Sequence, residues 1–198
     1  MQMSESLAGA PEGLSETSCE ATEFICSTEI GGFEGCELIN NEQLAGYLKE
    51  TLPPSHFEGC PSIEFDPSHP LFIQSPYTLG FYECDSHAIH VGDESRFSEG
   101  AEGMKDTIIH EVGHNVQSNF AEDNPEFDEA WARLHVESWQ TYMNEGIGFV
   151  SNYATTDMYE DFAESYKTYV RDPELLEFHS PEKYEFLRNN VFSAREYL

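Results

Sequence analysis

Apolar and polar positions recur at helical spacing between residues 104 and 119. The apolar side of a helical wheel for this segment carries Ile108, Ile109, Val112 and Val116. The opposite side is polar and carries Thr107, His110, His114 and Ser118, with Glu111 at its edge. Because residues three and four positions apart share one face of a helix, the pattern predicts a helix over 104–119. Its apolar side is expected to pack on a core, and its polar stripe is expected to face a cleft.

Local capping signals predict several more helices. The first begins with Asn40 as N-cap, with Gln43 placed for a capping box, and ends at two prolines. Another begins with Asn124 as N-cap and a proline in its first turn, and ends near Gly146. The predicted helices span 40–52, 124–146 and 156–171, with a shorter turn after 173 and a last helix from 180.

Short extended segments precede the helix at 104–119. Strands are predicted over 62–65, 71–74, 79–84 and 87–91, the last two as a hairpin. The arm at 87–91 alternates polar and apolar residues, which indicates an exposed edge strand that can pair with an extended peptide. His87 and His90 on this arm are expected to face solvent, with metal ligation as the alternative. This order of elements, mixed at first and then nearly all helical, predicts an α+β fold.

The chain is long enough, at 198 residues, for one domain with its own hydrophobic core. Residues 1–25 are rich in Ser, Glu, Gly and Ala and are predicted to form an acidic flexible lead-in, with a single domain over 26–198. The sequence contains no run of about 18 apolar residues, and no signal peptide is visible. The expected location is the cytoplasm by default, with a delivered or secreted effector as the alternative.

The charge of the chain excludes one class of partner. Nine basic and 38 acidic residues give a formal net charge of −29. Because such a surface repels phosphate, nucleic acid is excluded as a partner. The acidic residues are spread along the whole chain, which favours a solubilising role for them. A preference for basic substrates or partners is the alternative.

Five cysteines lie upstream of residue 104, at Cys19, Cys26, Cys36, Cys60 and Cys84. Their spacing contains no Cys-x-x-Cys pair, which argues against a structural zinc site. Two disulfides with one free thiol, and five reduced thiols, are both compatible with this spacing.

The polar stripe of the helix at 104–119 carries residues with metal chemistry. His110 and His114 lie four positions apart, so both imidazoles can reach one metal ion, and Glu111 can reach a water molecule bound to it. This His-Glu-x-x-His pattern is the signature of zinc-dependent peptidases. Gly113 lowers helix stability by about 1 kcal/mol relative to alanine, which indicates close approach by a neighbouring strand or by substrate.

A catalytic zinc site needs a third protein ligand besides two histidines. The extended pattern of the metzincins requires Gly at position 117 and His at position 120. This chain has Gln117 and Phe120 instead, so that family is excluded. The remaining common solution adds a glutamate from a downstream helix.

Two glutamates in the predicted helix at 156–171 are candidates for this ligand. Glu160 and Glu164 lie one helical turn apart, so one can bind zinc while the other accepts the N–H of a ligand imidazole. A purely structural alternative pairs Glu164 with Lys167 on a solvated face and places Glu160 in a capping box with Asp157.

The His-Glu-x-x-His pattern, followed by a tyrosine and then Glu-x-Phe-Ala-Glu at 160–164, resembles the gluzincin group of anthrax lethal factor and Pro-Pro endopeptidase. It is also similar to related metallopeptidase domains of toxins and phages. The resemblance covers about residues 79–192 and implies Glu160 as the zinc ligand and Glu164 as a supporting residue. It further implies Tyr153 as the donor to the oxyanion. The cysteine-bearing N-terminal region and the substrate-cleft residues depart from the group, so no substrate specificity is implied.

The sequence therefore predicts a zincin-like peptidase, most simply an endopeptidase, in which a small twisted sheet with an edge strand packs on the metal helix. Zn²⁺ would be held by His110, His114 and Glu160, with Glu111 as general base, and the substrate would be a peptide or protein. Within this class, Glu164 is the alternative zinc ligand. The alternative function is an acidic interaction or inhibitor protein with a structural zinc, which the charge supports.

Overall fold

A mixed sheet and seven α-helices make up residues 22–197, the part of the chain that the computed structural model describes. The strands are β1 (Glu23–Ile25), β2 (Thr28–Gly31), β3 (Ser62–Phe65), β4 (Gly80–Tyr82) and β5 (Ile89–Val91). The helices are α1 (Asn41–Thr51), α2 (Pro70–Gln74), α3 (Gly100–Asp123), α4 (Pro125–Glu145), α5 (Met158–Arg171), α6 (Pro173–His179) and α7 (Pro181–Asn190). The predicted α+β class is confirmed.

The five strands form one sheet in the order β1-β2-β3-β5-β4. Strands β2, β3 and β5 run parallel, whereas β1 and β4 are antiparallel to their neighbours. Strands β4 and β5 form the predicted hairpin, in which Tyr82 lies opposite Ile89. Because β5 also pairs with β3, the edge strand is β4, and the prediction that the second arm forms the edge is wrong.

The inner position of β5 also changes the environment of its histidine. His90 is only 8% exposed, and its ring stacks on Phe81 with centroids 4.8 Å apart. The expectation that His90 faces solvent is therefore wrong. His87 lies in the hairpin turn with a φ of 60°, and its Nδ1 is 2.6 Å from the Tyr82 hydroxyl. A strand covered on both faces can carry a polar residue if aromatic rings cover that residue.

The helix ends predicted from local capping residues agree with those in the structure. Asn40 and Gln43 form the reciprocal capping box at the start of α1. The Asn124 side chain caps α4, which ends at Gly146 in the left-handed conformation with a φ of 75°. These features depend on neighbours within about four residues, so the sequence pattern contains them in full.

The strand predicted over 71–74 is wrong, because these residues belong to α2. The His69 side chain accepts the Leu71 N–H as an N-cap, and Pro70 occupies the first turn. Phe72 is fully buried. A short apolar run suits a strand or a helix equally well, and here the cap and the proline favour the helix.

The sheet begins within the segment predicted as a lead-in. Strand β1 pairs with β2, so the predicted domain boundary at residue 26 falls between two paired strands. Residues 1–21, including Cys19, lie outside the described residues. Cys26, Cys36, Cys60 and Cys84 are free thiols. Among the helices of residues 22–197, none has both the length and the apolar character to cross a membrane.

Helix α3 packs its apolar side into the core, as predicted. The four residues of that side are at most 1% exposed: Ile108, Ile109, Val112 and Val116. Helix α5 approaches α3 at Gly113, where an added Cβ would lie 3.1 Å from the Cα of Ala163. The close approach inferred from Gly113 is therefore made by another helix and not by a strand or substrate.

A buried ion pair joins α7 to α5. Lys183 is 1% exposed, and its Nζ lies 2.7 Å from Oδ1 of the fully buried Asp161. The same ammonium donates to the Gly148 carbonyl, and Asp161 also accepts from His135 Nδ1 at 3.0 Å. Burial lowers the pKa of Lys183, and the attraction of Asp161 opposes this shift.

We expect Lys183→Met to lower the free energy of unfolding by about 3–5 kcal/mol, because it leaves the Asp161 carboxylate buried without its cation. Urea denaturation at pH 7 measures the loss. Lys49→Met, which removes an exposed lysine of α1, is the control and should change stability by less than about 0.5 kcal/mol. Equal losses in the two variants would contradict this account of the pair.

His56 is a second buried polar residue of the core. It is 1% exposed, with Nδ1 2.6 Å from the Tyr166 hydroxyl and Nε2 3.2 Å from the Val191 carbonyl oxygen. These partners suit a neutral ring that accepts at Nδ1 and donates at Nε2. Burial lowers the pKa of His56 from 6.5 to about 4, although the Val191 hydrogen bond opposes the shift.

Stability is therefore expected to fall as the pH drops from 6.5 towards 4, since the unfolded chain then binds a proton at His56 that the folded chain does not. At pH 5 this linkage amounts to about 2 kcal/mol relative to pH 7. His56→Gln, which keeps a donor and an acceptor but does not titrate, should lack this part of the loss. Denaturant unfolding of both proteins at pH 7 and pH 5 tests it, and identical pH dependences would refute it.

Candidate metal centre

Helix α3 places two imidazoles one turn apart at the floor of a cleft. His110 is 7% exposed, and its ring centroid lies 4.9 Å from that of His114. Potential ligand atoms of His110, Glu111 and His114 all lie within 4.8 Å of one another. Three donors this close, on one helix and largely shielded from water, form a pocket that a cation can occupy.

Helix α5 brings Glu160 to the same point from the opposite side. Its Oε2 lies 3.1 Å from Nε2 of His110 and 3.5 Å from Nε2 of His114. In a tetrahedral zinc site with bonds of about 2.0–2.2 Å, neighbouring ligand atoms are about 3.3–3.6 Å apart. The 3.5 Å separation falls within this range and the 3.1 Å separation lies just below it, so the two nitrogens and this oxygen form a donor set of the kind that binds zinc.

Glu164, one turn further along α5, holds the other side of the His110 ring. Its Oε1 lies 2.9 Å from Nδ1 of His110, and its Oε2 accepts from the Ser151 hydroxyl at 2.6 Å. Lys167 also donates to this carboxylate. Because Glu164 accepts a hydrogen bond from the Nδ1–H of His110, the lone pair of a neutral ring lies on Nε2 and can point at the position that Glu160 and His114 border.

Hydrogen bonds between His110 and the two glutamates set the pKa values of all three side chains. Burial alone would lower the pKa of His110, but hydrogen bonds with Glu160 and Glu164 outweigh it and raise the pKa to about 9. Burial would raise the pKa of both glutamates, yet the bonds to His110 hold each pKa well below 4.5. Since a cation binds only neutral imidazole, metal binding would displace a proton from His110.

Glu111 lies beside the histidines and against strand β4. It is 6% exposed, and burial raises its pKa, while the charges of His110 and His114 oppose the shift. Strand β4 comes this close because Gly80 has no side chain: a Cβ there would lie 2.8 Å from Thr107 and 3.4 Å from Glu111. The strand and the helix together therefore orient the Glu111 carboxylate.

Tyr153 completes the group from the short 3-10 helix Tyr153–Thr155 that precedes α5. Its hydroxyl donates to Oε1 of Glu160 at 2.9 Å, and its ring lies 5.8 Å from that of His110. The side chain is 53% exposed. Burial of the hydroxyl and the Glu160 carboxylate both raise the pKa of Tyr153, so the phenol stays a hydrogen-bond donor.

The group opens into a cavity of about 750 Å³. Strand β4 borders it with Gly80, Phe81 and Tyr82, and Tyr153 and Glu160 border it near the start of α5. A cavity of this size accommodates several residues of an extended peptide or a small organic molecule.

The structure brings all six residues selected from the sequence into one group: His110, Glu111, His114, Tyr153, Glu160 and Glu164. The structural alternative holds in part, because Glu164 does pair with Lys167 and Asp157 does cap α5. Glu160, however, contacts the histidines and does not complete a capping box. The individual roles of these residues stay predictions.

Sequence reasoning missed Ser151 and Gly80. Ser151 fixes the Glu164 carboxylate and also accepts the Ala154 N–H, so it links the loop before α5 to the site. Gly80 sets the spacing between β4 and α3. Both act through contacts distant in sequence, and neither has a spacing relative to the histidines that could have identified it.

In comparisons with known proteins, no family model, no curated protein and no solved structure matches this chain.

We expect the two glutamates of α5 to affect zinc binding differently. Glu164→Ala should weaken the affinity about 10–100-fold but still bind one zinc at saturation, because it removes only the hydrogen bond that orients His110. Glu160→Ala should weaken the affinity further, since it removes a donor atom. Chelator competition and metal analysis measure both effects, with the exposed Glu129→Ala as control. The reverse order of affinities would make Glu164 the ligand.

Proposed function

We propose that this protein is a zinc-dependent peptidase with a zincin-like fold. The observation that supports this most directly is the position of Glu160 Oε2, 3.1 Å and 3.5 Å from the two Nε2 atoms of the histidines. Glu111 lies in the same cleft without being needed as a third ligand. The resemblance to the gluzincin group, drawn from the same residues, agrees with this arrangement.

His110, His114 and Glu160 would hold the metal. Bound zinc would lower the pKa of a water molecule and polarise the carbonyl of a scissile peptide bond. Glu164 supports the site by orienting His110 through Nδ1, and Ser151 and Lys167 in turn hold Glu164. Three protein donors beside an open cavity are typical of a catalytic zinc site, whereas a structural site is closed by four.

Glu111 is the proton carrier in this proposal. Its carboxylate accepts the proton of the attacking water and then delivers it to the leaving amine. The packing of β4 at Gly80 holds the carboxylate at the edge of the cleft, where both transfers take place. A structural metal site does not require a buried carboxylate in this position.

Tyr153 donates a hydrogen bond to the oxyanion that develops on the scissile carbonyl. Its hydroxyl lies 2.9 Å from Glu160, so the donor is already beside the reacting centre, and its half-exposed ring can turn towards a bound peptide. The loss of such a donor typically lowers kcat about 10²–10³-fold.

Strand β4 offers the free edge that an extended substrate needs. The Leu79 carbonyl and the Glu83 N–H both bond to the chain around β5, at Gly92 and Ala88. Backbone groups alternate in direction along a strand, so those of Gly80 and Tyr82 point away from β5 and towards α3 and the cleft. A peptide that pairs with this edge would pass directly over the histidines.

The alternative, an acidic interaction protein with a structural zinc, is supported by the charge of −29. It leaves unexplained the buried Glu111, the tyrosine hydroxyl beside Glu160 and the open cavity. The peptidase accounts for all three, which is why we favour it.

Glu111→Gln is expected to keep full zinc content and to lower kcat about 10²–10⁴-fold, since the amide cannot accept the proton of water. The measurements are metal analysis and mass spectrometry of a diverse peptide mixture after incubation with and without chelator. Undiminished cleavage by this variant would contradict the mechanism. Absence of any cleavage by the zinc-loaded parent protein would favour the interaction protein.

A further inference from the structure

The side chain of Tyr82 lies beside the second histidine of α3. Side chains alternate between the two faces of a strand, so Tyr82 and Gly80 share the face of β4 that is turned towards α3. Gly80 lets the strand lie against Thr107 and Glu111, and Tyr82, two residues further on, meets the helix at His114. The rings of Tyr82 and His114 are stacked, with an interplanar angle of 24° and centroids 6.4 Å apart. The close approach at Gly80 therefore brings an aromatic ring to this histidine.

His114 has fewer polar contacts than His110 to fix its orientation. The His110 ring is held at both nitrogens, by Glu164 at Nδ1 and by Glu160 at Nε2. Over the part of the chain that the structure describes, Glu160 approaches Nε2 of His114 at 3.5 Å, and no second carboxylate pairs with this ring. Metal-ligating histidines are normally oriented by a partner outside the metal site. For His114, the contacts that can orient the ring are the stacked Tyr82 and the edge of His110.

The hairpin turn after β4 holds the Tyr82 ring in place. The Tyr82 hydroxyl lies 2.6 Å from Nδ1 of His87, and the two rings meet edge to face with centroids 5.7 Å apart. His87 has a φ of 60°, in the left-handed region that residues other than glycine rarely adopt, and its N–H donates to the Glu83 carbonyl at 2.7 Å. A residue kept in this backbone conformation and bonded to a side chain of the cleft indicates a role beyond closing the turn.

We propose that Tyr82 is a positioning residue: its ring, held by His87, fixes the orientation of the zinc ligand His114. The proposal rests on the metal centre of the proposed function and adds a support for its second histidine. The backbone of Tyr82 belongs to the free edge of β4, where an extended substrate would pair. One residue therefore binds the substrate through its backbone and orients a metal ligand through its side chain, so it sets the distance between the peptide and the metal.

Zinc affinity tests the stack without any cleavage. Tyr82→Leu, which keeps an apolar side chain but removes the ring, should weaken zinc binding about 3–10-fold in chelator competition. It should also change the visible absorption of the Co²⁺-loaded protein, because that spectrum depends on the geometry of the ligands. Phe81→Leu is the matched control, since it removes a ring from the same strand but from the face that stacks on His90, and it should leave both measurements unchanged. Equal effects of the two variants, or no effect of Tyr82→Leu, would overturn the proposal.

A double-mutant cycle tests the part that His87 plays. Tyr82→Phe and His87→Gly each break the same hydrogen bond, and glycine adopts the left-handed φ without strain. Each variant should weaken zinc binding less than Tyr82→Leu does, and the double variant should bind zinc no more weakly than either single variant. Additive losses of affinity would show that the two residues act independently and would overturn the role of His87.

Cleavage separates this proposal from the proposed function. At saturating zinc, Tyr82→Leu should lower kcat for a cleaved peptide with little change in KM, because the substrate pairs with the backbone of β4 and not with the ring. Zinc binding that depends on Tyr82, without cleavage of any peptide by the parent protein, would overturn the peptidase and leave the positioning role. Cleavage by the parent, with unchanged kcat and zinc affinity in Tyr82→Leu, would do the reverse. Failure of the parent protein to bind zinc would overturn both.

Discussion

Helix α5 approaches α3 at Gly113, where the absence of a side chain lets Ala163 come into contact with the helix backbone. The candidate site depends on this approach, because Glu160 and Glu164 reach the two ring nitrogens of His110 only if the helices lie this close. Two carboxylates beside one another repel, and the imidazole between them, together with Ser151, offsets that repulsion. A glycine that weakens α3 as an isolated helix therefore permits the packing that assembles the site.

A second glycine acts in the same way on another side of α3. Gly80 lets strand β4 lie against Thr107 and Glu111, so that the edge of the sheet forms one border of the cleft. Helix α3 is thus held between α5 and β4, each at a position without a side chain. The width of the cleft follows from these two contacts, and the buried pair of Lys183 and Asp161 secures α5 from its far side.

Features with local causes could be predicted from the sequence, whereas features that depend on pairing could not. The caps at Asn40 and Asn124 and the spacing of His110 and His114 involve a few consecutive residues, and the structure agrees with them. The partner of each strand is not encoded locally, so the sequence pattern wrongly predicts β5 as the edge strand. The role of Ser151 could not be predicted for the same reason, since its hydrogen bond to Glu164 forms only after the loop before α5 folds back.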